Sequence, residues 1–263
     1  MSLYAKYEFT DNLNDTSGNG RHLTNFTSQP YTPGVIAFPY TFGIEDEASS
    51  AANLTGGVDY YGGTKAQCTD NTLFNVGTGD FSISVWMKYD GANRGVQTPL
   101  WKIYTVVFPA SGGGYQIWVQ GTGTMALRLR RAGVADCYAS SGLLGDGEWH
   151  MYTWSIDRAN TKWDYYLDTT KTVNQSDIAY TDGTPGLFGP TLNLDNTGYF
   201  ILGVEPNEVY APDTPPNDSR LWRYFFGGMD NLNFYTNTLT QTDVDNLYFQ
   251  IALRSKIWHG ATF

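Results

Sequence analysis

Short runs of alternating apolar and polar residues, separated by Gly, Asn, Asp and Pro, recur along this chain. Successive side chains of a β-strand point to opposite faces, so this pattern is typical of half-buried strands. The clearest predicted strands are Phe81–Tyr89, Gly114–Gln120, Met125–Arg131, Glu148–Ile156, Lys162–Asp168, Tyr199–Gly203 and Met229–Tyr235. In the strand Phe81–Tyr89, the apolar side chains of residues 81, 83 and 85 should face one side of the sheet, and Ser82, Ser84 and Trp86 should face the other. Many short strands with little helix predict a sandwich or a barrel.

One segment, Thr240–Tyr248, predicts a helix, because Thr240 followed by Asp243 resembles a capping box. No segment shows an amphipathic helical pattern longer than about three turns. The Pro-rich and acidic segment 205–219 is expected to be a surface loop inside one domain. The expected architecture is therefore all-β, with two antiparallel sheets and one short C-terminal helix.

Composition narrows the classes of function. The chain carries 16 Lys and Arg against 26 Asp and Glu, a net charge of -10, which disfavours a nucleic-acid binder held by phosphate contacts. No apolar stretch reaches the length of about 20 residues that a membrane-spanning helix needs. The first residues do not resemble a secretory signal, so either a signal has been removed or the protein is made without one. The second alternative fits a virion protein that assembles in the cytoplasm.

Cys68 and Cys137 lie 69 positions apart and lack the paired spacing of zinc sites. Two ordinary thiols are expected if assembly is cytoplasmic, and a single disulfide is the alternative.

Four stretches in order resemble the LamG-like family of concanavalin A-like jelly-roll domains. They are Tyr7–Gly20 with its D-x-S-G-N-G loop, Phe81–Lys88, Gly147–Asp157 with Tyr165–Asp168, and Phe226–Tyr235 with Leu239 and Leu247–Tyr248. The resemblance implies a concanavalin A-like jelly roll over residues 1–248, followed by a C-terminal extension at 249–263. It says less about function, because this sandwich carries lectins, hydrolases and structural modules.

The resemblance also implies a structural calcium ion, since an acid of the opening loop and an acid of the closing strand often meet at one in such domains. The corresponding residues are Asp15 and Asp230, and Ca²⁺ prefers such oxygen ligands. The alternative is that Asp15 only forms an Asx-turn and that Asp230 forms a salt bridge or caps a loop. A bound ion would hold the two termini together and would have no catalytic role.

A glycosidase is the weakest hypothesis. Retaining hydrolysis needs two carboxyl groups about 5–5.5 Å apart, and laminarinase-type relatives place them on an E-x-D-x-E strand. Here Glu45 and Glu47 are the best candidates, yet they sit in a loop-like context without aromatic strand residues. We therefore expect no catalytic residues and a protein that is not an enzyme.

Aromatic residues are 16% of the chain, and exposed Trp and Tyr stack on sugar rings. Trp149 and Trp154 are expected in the core. The candidates for a carbohydrate-binding surface are Trp86, Trp101, Tyr115, Trp118 and Trp163, of which two or three at most should be exposed and clustered.

The hypothesis is a surface or adhesion protein, most simply a phage decoration or tail component at the virion surface. Its partners would be a cell-surface or extracellular glycan and a capsid or tail protein, with a homo-oligomer as an open alternative. A secreted bacterial carbohydrate-binding module is the alternative. Residues 249–263 either fold back on the domain, as an edge strand or a cover, or dock on a partner. The docking candidates are Ile251, Leu253, Arg254, Lys256, Ile257, Trp258 and Phe263.

Overall fold

A computed structural model describes residues 1–9, 12–25, 40–42, 66–89, 97–103, 113–119, 124–131, 135–143, 146–175, 193–205, 223–225 and 227–258. Within them the chain forms two large antiparallel sheets and one helix. The expected two-sheet sandwich is confirmed.

Sheet A has the order β1-β16-β5-β10-β11-β12, and β3 also pairs with β16. Its strands are β1 (Leu3–Tyr7), β3 (Tyr40–Phe42), β5 (Phe81–Tyr89), β10 (Trp149–Asp157), β11 (Lys162–Leu167), β12 (Thr170–Gln175) and β16 (Gly227–Tyr235). The first and last strands of the chain are therefore neighbours, with Tyr7 opposite Leu232.

Sheet B has the order β2-β4-β13-β6-β7-β8-β9. Its strands are β2 (Leu23–Asn25), β4 (Ala66–Cys68), β6 (Gln97–Ile103), β7 (Gly114–Val119), β8 (Thr124–Arg131), β9 (Ala135–Leu143) and β13 (Ile201–Leu202). A two-stranded ladder of β14 (Val204–Glu205) and β15 (Arg223–Tyr224) packs against β6.

The main core lies between the inner faces of the two sheets and is rich in aromatic rings. Phe74 stacks on Phe200 with ring centroids 3.9 Å apart, and Phe234 meets both Phe74 and Phe81. The predicted alternation of β5 is confirmed, because Phe81, Ile83 and Val85 enter this core and Trp86 does not. Fully burying each Phe stabilises the fold by about 1.5–3 kcal/mol.

The helix α1 (Gln241–Trp258) is longer than predicted. Its predicted start is confirmed: the Thr240 amide and hydroxyl donate to the Asp243 carboxylate over 2.9 and 2.7 Å. The helix then continues through residues 249–258, so the expectation of an edge strand there is wrong. Neither Gly nor Pro occurs between Thr240 and Gly260, and Ala252, Leu253 and Arg254 favour helix.

The first turns of α1 cover part of the outer face of sheet A, the face turned away from the main core. Val244 of the helix and Tyr235 of β16 are buried in a second, smaller apolar cluster with Met151 and Leu239. The amide of Leu239 also donates to Ser155 Oγ over 2.8 Å. The helix is therefore anchored to the strands on which the residues of the candidate site lie.

Candidate functional site

Three of the five aromatic residues predicted to bind carbohydrate are buried. Tyr115 and Trp163 lie in the main core with 0% and 2% of their surface exposed, and the Tyr115 hydroxyl donates to the Phe74 carbonyl over 2.8 Å. Trp101, on β6, is 3% exposed and packs against Ile103 and Ile201. The prediction is wrong for these three residues, because a buried ring offers no face to a sugar.

The other two candidates are half-buried, but they lie on different sheets. Trp118 is on β7 of sheet B, and the guanidinium of Arg128 lies 5.0 Å from its ring. Trp86 is on the outer face of sheet A, where Tyr248 of α1 stacks on it with ring centroids 5.2 Å apart. The outer faces of a two-layer sandwich point in opposite directions. The two residues therefore do not form one surface.

Trp149 lies beside Trp86 and was wrongly expected in the core. It is half-buried and sits in the β10–β5 register opposite Lys88, two positions from the Met151–Trp86 pair. Its indole reaches β16, where a Cβ built on Gly228 would collide with the ring. The absence of a Cβ at Gly228 thus leaves the space that the end of the indole occupies. The sequence contained a signal for this position. In a strand whose residue 154 faces the core, period-two alternation places residue 149 on the opposite, outer face, together with residue 151.

Four aromatic side chains together form what we call the aromatic strip: Trp86, Trp149, Tyr248 and Phe249. Phe249 is 53% exposed, and its ring meets Tyr248 edge-on at 5.6 Å. The indole Nε1 of Trp86 is buried without a hydrogen-bond partner. An unsatisfied buried donor costs about 1–3 kcal/mol, so the strip contains a polar group that gains from an acceptor.

Asp230 lies next to the strip, in register with Trp86 across β16 and β5 and therefore on the same face. It is 5% exposed, and its Oδ1 accepts the Asn231 amide over 2.7 Å. Burial raises the pKa of Asp230 to about 7, against hydrogen bonds from Asn231 that lower it. Near neutral pH this carboxyl group can therefore act as donor or acceptor.

Asp15, the other predicted calcium ligand, has both oxygens occupied by the backbone. Its Oδ1 accepts the amides of Lys6 and Ser17 and its Oδ2 accepts that of Arg21, each over 2.9 Å. Burial alone would raise the pKa of Asp15, but a hydrogen bond from the Ser17 side chain and those from the three amides outweigh it, so the pKa lies below its usual value. The bond from Ser17 is the Asx-turn that the alternative predicted. The amides of Lys6 and Arg21 add two further bonds.

Both acids have roles in the structure that need no calcium ion. The carboxylate of Asp15 accepts three backbone amides, whereas that of Asp230 is buried and accepts the backbone amide of Asn231. Within the described ranges, no three His, Cys, Asp or Glu side chains are placed to hold a metal ion together. The geometry favours structural roles for both residues.

Several of the remaining predicted residues lie outside the part of the chain that the structure describes. Glu45, Glu47 and Phe263 lie outside the described residues, and Ile251, Leu253, Arg254, Lys256, Ile257 and Trp258 belong to α1, without a description of their side chains. Cys68 is buried with a free thiol. In the described part of the chain, no helix combines the length and the apolar character that crossing a membrane requires.

Comparison with solved structures shows the same fold in larger chains. One similar structure is that of botulinum neurotoxin type C, whose cell entry depends on interaction with two ganglioside molecules. It matches with a TM-score of 0.61 and 13% sequence identity, over 95% of this chain and 51% of the neurotoxin chain. The binding domain of botulinum neurotoxin DC, in complex with rat synaptotagmin II, has a TM-score of 0.62 and 12% identity over 95% and 52%. The binding domain of Paraclostridial Mosquitocidal Protein 1 has a TM-score of 0.57 and 14% identity over 95% and 52%. This chain thus spans about half the length of these neighbours.

At the level of sequence, no curated protein matches the chain. A family model described as the concanavalin A-like lectin/glucanases superfamily matches residues 61–245, which is most of the chain. The matched region includes β5, β10, β11 and β16, four of the strands that carry the predicted family motifs. The expected relationship is thereby confirmed: this chain belongs to the concanavalin A-like lectin/glucanase superfamily.

Proposed function

We propose that this protein is a non-enzymatic adhesion domain that binds a glycan or protein through the aromatic strip. In its finer form, the proposal places it on a phage particle, as a decoration or tail component at the virion surface. The observation that carries the binding function is the strip itself, because Trp86 and Trp149 share one face with the buried carboxyl group of Asp230.

The chemistry of the strip suits a sugar or an aromatic-rich protein surface. Indole rings stack on the C–H faces of pyranoses, and aromatic residues are enriched at protein interfaces. The half-buried Trp149 and the exposed Phe249 leave part of their rings accessible to a ligand, and the buried carboxyl group of Asp230 lies on the same face of the sheet. An apolar surface is the larger part of most specific binding sites.

The composition of residues 251–263 supports the proposed location on a phage particle. Residues 251–263 combine apolar Ile251, Leu253 and Trp258 with basic Arg254 and Lys256, next to a domain with many acidic residues. Such a segment suits docking into an apolar groove of a capsid or tail protein.

A secreted bacterial carbohydrate-binding module is the second candidate. The observation that favours it is the similarity in fold to botulinum neurotoxin type C, whose cell entry depends on interaction with two ganglioside molecules, and to the binding domain of Paraclostridial Mosquitocidal Protein 1. Copurification with an assembled particle separates the two candidates, since a secreted module would be recovered as free protein.

The strip is tested by substituting Trp149 with Ala and comparing the variant with Trp118→Ala on the opposite sheet. Both residues are half-buried tryptophans on outer faces, so the stability costs should be similar. On a glycan array and in binding to host cells, Trp149→Ala should lose at least tenfold in affinity, whereas Trp118→Ala should bind like the wild type. Equal binding by both variants would refute the strip, and release of reducing sugar from a β-glucan would refute the non-enzymatic function.

A further inference from the structure

Lys102 lies inside the sandwich, where lysine is rare. It is on β6 opposite Tyr115 of β7, so the two side chains share one face of sheet B, and Tyr115 belongs to the main core. No part of Lys102 is exposed. Lysine is almost never fully buried unless its charge is paired, so the ammonium group needs partners inside the fold.

Four oxygen atoms surround this ammonium group, and we call them the carbonyl cage. Nζ of Lys102 donates to the main-chain oxygens of Asn71 over 3.0 Å and of Gly198 over 2.6 Å. It also donates to the main-chain oxygen and to Oδ1 of Asn196, each over 3.3 Å. Three of the four distances exceed the length of about 2.3–2.6 Å of calcium–oxygen bonds. The cage therefore has the dimensions of a site for an ammonium ion, which has three N–H donors.

Two loops from distant parts of the chain form the cage. One loop follows β4 and supplies Asn71, and the other precedes β13 and supplies the remaining three oxygens. The loops also bind each other directly, because the Leu194 amide donates to the Gly77 carbonyl over 2.9 Å and the Asn196 amide donates to Asn75 Oδ1 over 3.2 Å. The oxygens of the cage are thus also positioned by contacts that do not involve Lys102.

The occupant of the cage is a cation at neutral pH. Burial lowers the pKa of Lys102 to about 8, against the nearby carboxylate of Asp195, which raises it. The amine therefore keeps its proton at pH 7. All four oxygens of the cage are carbonyl oxygens, which accept hydrogen bonds and cannot donate them, so the cage matches an ion that only donates.

We infer that the carbonyl cage is a binding site for one primary ammonium ion, and that Lys102 is its built-in occupant. Lys102 joins the two loops in the way that a bound cation would. The inference goes beyond the proposed function and does not rest on it, because the cage lies between the sheets and the aromatic strip lies on the outer face of sheet A.

The test is the thermal stability of Lys102→Ala with and without propylammonium chloride, whose cation replaces the part of the side chain that the substitution removes. The variant should melt at a lower temperature than the wild type, because buried oxygens lose their donor. Propylammonium should raise the melting temperature of the variant by about 3 °C or more at about 100 mM, since it binds only the folded state. It should leave the wild type unchanged, because the cage is already filled.

Three controls isolate the ammonium group as the cause. Tetramethylammonium chloride has the charge without N–H donors, and propanol has the alkyl chain without the charge, so neither should stabilise Lys102→Ala. Lys102→Met fills the space without a cation, so it should be destabilised and should not respond to propylammonium. Lys171→Ala removes a partly exposed lysine paired with Asp164, so it should lose less stability and should not respond either.

The wild type gives an independent measurement. In a proton–nitrogen NMR spectrum, the Lys102 ammonium group should give a signal that exchanges slowly with water and is absent from Lys102→Met. Absence of this signal from the wild type would overturn the inference. So would a Lys102→Ala protein that propylammonium does not stabilise, whether folded or unfolded without it, or one that tetramethylammonium stabilises equally.

Discussion

Single polar residues hold the opening turn of the chain, and Asp15 is the clearest case. It accepts three backbone amides while only 6% of its surface is exposed. Leaving buried amides without an acceptor costs about 1–3 kcal/mol. This residue joins β1 to the loop that follows it, which is the role that the calcium hypothesis assigned to a bound ion.

We therefore predict that Asp15→Ala lowers the free energy of unfolding by about 1–3 kcal/mol, equally in EDTA and in calcium. The control is Asp70→Ala, because Asp70 forms a similar turn with Thr72 but is exposed, and its loss should be smaller. Chemical denaturation of the three proteins measures the difference. A wild-type melting temperature that falls in EDTA and recovers with added calcium would contradict this prediction and support a bound calcium ion.

Asp230 shows the opposite electrostatic behaviour at the residue scale. Its folded-state pKa is raised from 3.8 to about 7, so between these values the folded protein binds more protons than the unfolded chain. Stability should then fall as the pH rises from about 4 to about 7, by at most about 1.4 kcal/mol per pH unit for one proton. Above that range the full cost of a buried charge is present.

Asp230→Asn removes this titration, so we predict that it flattens the decline in stability between pH 4 and 7 and makes the variant the more stable protein near pH 8. Urea unfolding of both proteins across this range is the measurement. Parallel pH profiles for wild type and variant would show that Asp230 is ionised in the folded protein at acidic pH, as a metal ligand or a salt-bridged group would be.

At the scale of elements, side chains of the first two turns of α1 tie the helix to the sandwich. Val244 is fully buried, and Leu247 and Tyr248 pack on the outer face of sheet A. Most helical stability in proteins comes from such packing and not from intrinsic propensity. These anchoring residues precede Phe249, and the proposed docking segment follows it.

Deletion of residues 250–263 should therefore leave the domain folded, with a loss of about 1 kcal/mol or less, because the buried anchors remain. The same deletion should abolish association with assembled particles if the tail is an anchor. Thermal melts and cosedimentation with particles measure the two effects. Unfolding of the truncated monomer, or undiminished cosedimentation, would contradict the anchoring hypothesis.

Over the whole molecule, the two outer faces of the sandwich differ in their aromatic side chains. The aromatic strip lies on the outer face of sheet A, at the Trp149 end of β10. Trp118 and Arg128 belong to the opposite outer face, so they serve as controls for the strip.

The sequence determined the class of the fold because strand alternation is a local property of the chain. Phe81–Tyr89 was predicted with the bounds that β5 has, and the capping box at Thr240 was read from two residues. Strand β6 was missed because Pro99 interrupts the pattern, and the structure has an irregular register between Gln97 and Leu100, where such a residue is tolerated.

Only the tertiary structure decided which side chains are accessible, because accessibility depends on what packs above a residue and not on its neighbours in the chain. Trp163 and Trp149 both begin or nearly begin a strand, yet one lies in the core and the other lies on the surface over Gly228. Lys102 is fully buried and donates to carbonyls of Asn71 and Gly198 from two distant loops, which its local sequence does not indicate. The aromatic strip depends on the same long-range packing, since α1 and β10 are separated by more than 80 residues.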